Sequence, residues 1–108
     1  MIHIKFYLDK EDKNGLSPIH LVIRNSNVQI KVSIGEKINK KDWDFKSQSV
    51  KSSNYDSRLI NNYLNFLKSE VERFLITTPA SQKTDKKIKH KIQELVDKWK
   101  SNTGKNLI

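Results

Sequence analysis

The stretch that decides the fold is Ile19-His20-Leu21-Val22-Ile23-Arg24-Asn25-Ser26-Asn27-Val28-Gln29-Ile30-Lys31-Val32-Ser33-Ile34-Gly35. Apolar and polar residues alternate on both sides of an Asn-Ser-Asn turn, and a period of two is the signature of a half-buried strand. Ile19, Leu21 and Ile23 share one side, with His20, Val22 and Arg24 on the other. After the turn, Val28, Ile30, Val32 and Ile34 face in, and Gln29, Lys31 and Ser33 face out. A tight hairpin with Asn25-Ser26 as its two-residue loop pairs Ile23 with Val28. That register sets His20 opposite Lys31 and Val22 opposite Gln29, and Gly35 is expected to close the strand.

The same alternation opens the chain. Ile2, Ile4, Phe6 and Leu8 lie on one side, and His3, Lys5, Tyr7 and Asp9 on the other. Asp9 to Gly15 is polar and ends in Asn14-Gly15, a dipeptide suited to positive φ. Pairing Leu8 with Ile19 puts Tyr7 beside His20 and Lys5 beside Val22. The expectation is three strands, at about 2–9, 18–24 and 28–34, with one aliphatic face. The other face carries a row Tyr7–His20–Lys31 flanked by Lys5, Arg24, Gln29 and His3.

An aliphatic sheet face needs a cover. Leu59, Ile60, Tyr63, Leu64, Leu67, Val71, Phe74 and Leu75 fall at helical spacing and predict a helix over about 55–77, with Asn54 as its N-cap. The connection from Glu36 to Ser53 contains Trp43 and Phe45, both expected to plug the edge of the core. Pro79 to Thr84 reads as a linker. A second amphipathic helix follows, capped by Asp85, with Ile88, Ile92, Leu95, Val96 and Trp99 as its stripe; Thr103-Gly104 suggests its end. The fold class is α+β: a three-stranded antiparallel sheet packed on one long helix, then a second amphipathic helix. Residues 1–78 are expected to form one domain, 79–84 a linker and 85–108 a basic helix.

Composition narrows the function. Of 108 residues, 21 are Lys or Arg and 12 Asp or Glu, giving a formal charge of +9. Residues 55–78 are balanced, with three charges of each sign; residues 1–54 hold ten basic against six acidic, and 79–108 eight against three. The basic character therefore belongs to the sheet, its following loop and the tail, which favours an anionic partner. With no cysteine, disulfides, thiolate metal sites and thiol nucleophiles are excluded. His3, His20 and His90 lack the close spacing of a metal site, the three glycines form no phosphate loop, and no nucleophile-elbow motif occurs. Neither catalysis, nor a metal, nor a cofactor is expected. The chain lacks a secretory signal and any run long enough to span a membrane, so it reads as cytoplasmic, without a membrane partner.

The outward sheet face is the candidate site. Strands enter the DNA major groove as helices do. Lys5, Arg24 and Lys31 suit phosphate or guanine, Gln29 suits adenine, and Tyr7 and His20 suit phosphate. Asp9, at a strand end, is the acid among them. The plainer reading is a solvated face on which Tyr7 and His20 form a cross-strand pair serving stability. The run Lys86, Lys87, Lys89, Lys91 reads as the wet side of the second helix, whose Trp99 stripe is expected to dock on another domain.

Taken in order, Ile4-Lys5-Phe6-Tyr7-Leu8, Gly15-Leu16-Ser17-Pro18-Ile19, Ser33-Ile34-Gly35-Glu36-Lys37-Ile38, Trp43 and Asn61-Asn62-Tyr63-Leu64 resemble a known family over residues 2–78. The likeness is to the N-terminal arm-type DNA-binding domain of tyrosine recombinases (integrases) from Bacteroidetes mobile elements. The resemblance implies a non-catalytic domain that binds arm-type sites in double-stranded DNA through Lys5, Tyr7, His20, Arg24, Gln29 and Lys31. It also implies other recombinase domains or protomers as partners, and a chain that is the N-terminal part of a longer enzyme. The second helix would then begin a core-binding domain. One departure is Val22, where the family often has Arg; the contact is expected to shift to Arg24 or Lys31. Two alternatives stay open: a protein-interaction module docking through the sheet or the basic helix, and an RNA-binding domain.

Overall fold

The computed structural model describes residues 2–25 and 28–105. β1 (Ile2–Leu8), β2 (Leu16–Asn25) and β3 (Val28–Asn39) form an antiparallel sheet in the order β1-β2-β3. Between β1 and β2, Leu8 pairs with Ile19, Tyr7 with His20 and Lys5 with Val22, the register that alternation predicts. The connection is a built turn. The Asp12 carboxylate accepts from the backbone N–H of Asn14 (2.8 Å) and of Leu16 (3.0 Å), and Gly15 takes φ +80, where a Cβ would strain the chain.

The β2–β3 register differs from expectation by two residues. Ile23 pairs with Ile30, Val22 with Lys31, Arg24 with Gln29 and Asn25 with Val28. Asn25, expected in the loop, is thus paired within the sheet, and the connecting Ser26 and Asn27 lie outside the described residues. A two-residue slip keeps every side chain on its own face, whereas a one-residue slip would invert them all. The aliphatic wall therefore survives, and only the row partners change.

Gly35 does not close β3. Pro18 pairs with Lys37 and His20 with Ser33, so Ile34, Gly35 and Glu36 stand opposite Ile19 in a bulge, with Gly35 at φ +78. Bulges bend and twist a strand without ending it. This one is pinned from below by the Tyr63 hydroxyl, which donates to the buried Ile34 carbonyl at 2.7 Å. Burial raises the Tyr63 pKa well above its ordinary value, helped by Glu36 and Asp97, so the phenol stays a donor.

The Glu36–Ser53 connection is more ordered than a loop. After one 3-10 turn, β4 (Trp43–Asp44) pairs with β5 (Ser49–Val50). Trp43 is buried in the core, but Phe45 is 59% exposed at the hairpin tip and plugs nothing. The Asp44 carboxylate takes the N–H groups of Lys46 and Ser47, which turns Phe45 outward. Asn61 clamps this hairpin to the helix, accepting from Val50 N–H (2.8 Å) and donating to its carbonyl (3.0 Å). Gln48 Oε1 accepts from Phe6 N–H at 3.0 Å and so occupies part of the open edge of β1.

α1 (Ser57–Thr77) buries Ile60, Tyr63, Leu64, Leu67, Val71 and Leu75 against the sheet, while Leu59 is exposed. Asn54 is not its N-cap: the helix begins after Asp56, and Asn54 instead accepts from Asp56 N–H and donates to Asp42. α2 (Asp85–Lys105) runs past Thr103-Gly104, and its cap is Thr84, whose hydroxyl accepts from Lys87 N–H at 3.2 Å. The N3 amide is the usual partner of a capping hydroxyl. Ile88, Ile92, Leu95 and Val96 belong to the same core cluster as the strands. Trp99 stacks on Tyr63 (centroids 5.4 Å apart) and leans on Phe66 (5.0 Å). The α2 stripe is thus used within this unit. Both helices cover one face of the sheet and leave the other to solvent.

Candidate nucleic-acid interface

Strand pleating sends the odd residues of β1 and β3 and the even residues of β2 to the open face. Three cross-strand rows result: Tyr7–His20–Ser33, Lys5–Val22–Lys31 and His3–Arg24–Gln29. All six expected residues, Lys5, Tyr7, His20, Arg24, Gln29 and Lys31, share this face. Lys31 is not opposite His20, however; it lies one row along, opposite Val22, as the slipped register requires.

Lys5, Tyr7, Arg24, Gln29 and Lys31 are all exposed. Among the described residues, neither Lys5 nor Arg24 takes part in an ion pair. Val22 is the surprise. It points away from the core cluster yet is only 3% exposed. In the middle row it has Lys5 on one side and Lys31 on the other, and lysine stems cover apolar surface while their ammonium ends stay in water. Alternation places Val22 on the open face but is silent about this cover.

His20 and Lys31 converge on Asp9. The Asp9 Oδ2 is 3.2 Å from His20 Nδ1 and 3.4 Å from Lys31 Nζ. The Asp9 main chain is fixed by its N–H donating to Pro18 O (2.9 Å), and its carboxylate accepts from Lys10 N–H (2.7 Å). That backbone donor, and then Lys31, hold the Asp9 carboxyl below its usual pKa. Nδ1 of His20 is buried, and Asp9 meets it at ion-pair distance but off the direction a hydrogen bond needs. Burial, with Lys31, pushes the His20 pKa below 6.5 despite Asp9, favouring neutral imidazole near pH 7. Sequence parity set Asp9 at the strand end; its contact with both His20 and Lys31 needed the observed twist and register.

Charge is also present on the helical side. Lys86, Lys87, His90 and Lys91 line a groove between the end of α1 and the start of α2, with Phe74 and Pro79 as its floor. Lys91 is committed there, paired with Glu94 at 3.5 Å. No group of three or more His, Asp or Glu among the described residues could hold a metal ion. None of the described helices is long and apolar enough to cross a membrane.

The family model described as "Arm DNA-binding domain" matches residues 4–89, which takes in all of the sheet but the first two residues of β1, the β4–β5 hairpin, α1 and the first turn of α2. The chain belongs to the arm DNA-binding domain family. Its partner class is therefore DNA, and the domain type is a binding one of the integrase kind rather than a catalytic one. The rest of α2 lies beyond the matched residues. No curated protein and no solved structure matches the chain.

Proposed function

We propose that this chain is the arm-site-binding domain of a tyrosine recombinase and that it lays the open face of its sheet in the major groove of double-stranded DNA. The observation that carries the reading is the separation of faces. Both helices occupy one side of the sheet, and the other presents Lys5, Lys31, Arg24 and Gln29 in adjacent rows. Three strands at ~4.8 Å spacing measure about 10 Å across, close to the ~12 Å width of the major groove. Lys5 and Lys31 end the middle row and suit the two phosphate walls; Arg24 and Gln29 sit side by side in the outer row, where guanine and adenine edges are their usual partners.

In this reading the domain positions a catalytic apparatus carried by other recombinase domains or protomers. The sequence assigns residues 1–78 to the DNA-binding unit; we add α2, because Ile88, Ile92, Leu95 and Val96 complete its core. Equilibrium titration of short duplexes at several salt concentrations tests the proposal. Log affinity should fall linearly with log salt, and Lys5→Ala should flatten the slope by about 0.9, one phosphate contact, whereas Lys31→Ala, whose ammonium is shared with Asp9, should flatten it less. Absence of duplex binding at low salt sinks the reading, and a preference for single-stranded RNA would replace it.

A further inference from the structure

We propose that Asp9 is a specificity-determining residue of the sheet face, one that withholds Lys31 and His20 from indiscriminate phosphate contact. The inference rests on the DNA-binding reading above and sharpens it. An acid on a surface that meets a polyanion costs affinity for any DNA, so its position needs a reason. Asp9 is not a loose surface carboxylate. Its amide is bonded to Pro18 O, its Oδ1 accepts from Lys10 N–H, and its Oδ2 is within 3.4 Å of both Nζ of Lys31 and Nδ1 of His20. The turn thus aims one oxygen at two of the face's cations or potential cations.

The exposure of the pair, 49% for Lys31 and 41% for Asp9, means the bridge contributes little to stability. Its effect is on what Lys31 can do. With Asp9 alongside, Lys31 meets a phosphate only by sharing it with a like charge, so backbone-led binding to arbitrary sequence is penalised in full. In a base-reading complex the carboxylate lies in the groove, where cytosine N4 and adenine N6 present donors to it. There the penalty is offset. The same residue then weakens non-specific binding more than specific binding.

The test is Asp9→Asn, which retains an acceptor for the Lys10 N–H and so leaves the turn intact. Two duplexes are used: one of random sequence, and one selected from a randomised pool by the unaltered protein. The variant should bind the random duplex several-fold more tightly. Its salt slope should be steeper by about 0.9, so that its advantage shrinks roughly 3.5-fold between 50 and 200 mM salt. The gain on the selected duplex should be smaller, and in a Lys31→Ala background most of the gain should vanish. Glu94→Gln is the control, because it frees Lys91 on the helical side by the same change of charge; it should alter neither affinity. If the unaltered protein binds duplex but Asp9→Asn is no tighter, or gains equally on both duplexes, or is matched by Glu94→Gln, the inference fails and the DNA reading stands. If the unaltered protein binds no duplex at low salt, the DNA reading fails first.

Discussion

Removing one oxygen atom from Tyr63 should loosen the sheet from beneath. In Tyr63→Phe the ring keeps its place in the core and its stacking on Trp99, but the hydroxyl that donates to Ile34 O at 2.7 Å is gone. That carbonyl lies in the bulge where Ile34, Gly35 and Glu36 oppose Ile19, outside the regular pairing. An unsatisfied buried carbonyl costs about 1–3 kcal/mol. At ~4–8 °C per kcal/mol for a domain of this size, the Tm should fall by on the order of 5–20 °C. Thermal unfolding followed by far-UV circular dichroism measures it, with urea unfolding as a second probe. The register of β3 beyond the bulge depends on the same bond, so amide exchange at Ile34 to Ile38 should quicken more than in β1. A Tm within about 1 °C of the parent would mean that the bulge holds without the phenol, and the account of β3 would be wrong.

Trp99→Ala should cost about 2–4 kcal/mol, near the lower end for aromatic truncation because Trp99 is half-buried; urea unfolding should show one transition for helix and sheet, whereas an unchanged midpoint would detach α2 from the core. Stability should also fall as pH drops through 6.5. The His20 pKa is lowered in the folded state, so below 6.5 the unfolded chain binds a proton that the folded chain resists, and the loss is complete only below the folded value. His20→Gln should flatten that part of a stability–pH profile. Asp9, Asp12 and Asp44, lowered from 3.8, give their own loss only as pH falls through and below that value, so the windows separate.

Strand alternation was sufficient for the faces, because burial of one side specifies parity, and the β1–β2 register followed from parity plus the Asn14-Gly15 turn. Parity alone does not distinguish registers two residues apart. Asn25, Ser26 and Asn27 are all good turn residues, and nothing local chooses which pair forms the loop. Gly35 misled for a related reason, since positive φ serves a strand end and a bulge equally; the Tyr63 hydroxyl that distinguishes them lies far away in sequence. Thr84 and Asp85 are both sound caps, separated only by which hydroxyl or carboxylate reaches the Lys87 amide. Trp43 and Phe45 share a side by alternation, but the Asp44 turn breaks the period between them. The six outward residues were legible. The cover over Val22 and the meeting of Asp9 with His20 and Lys31 were not, because alternation assigns a side chain to a face but not the neighbours it reaches on that face.

The most direct test of the central claim is amide chemical-shift mapping of the isotope-labelled protein titrated with a short duplex at low salt. The largest changes should fall on Lys5, Tyr7, Val22, Arg24, Gln29 and Lys31, with the amides of α1 little moved. Changes centred instead on Lys86 to Lys91, or none at all, would contradict the assignment of the sheet face to DNA.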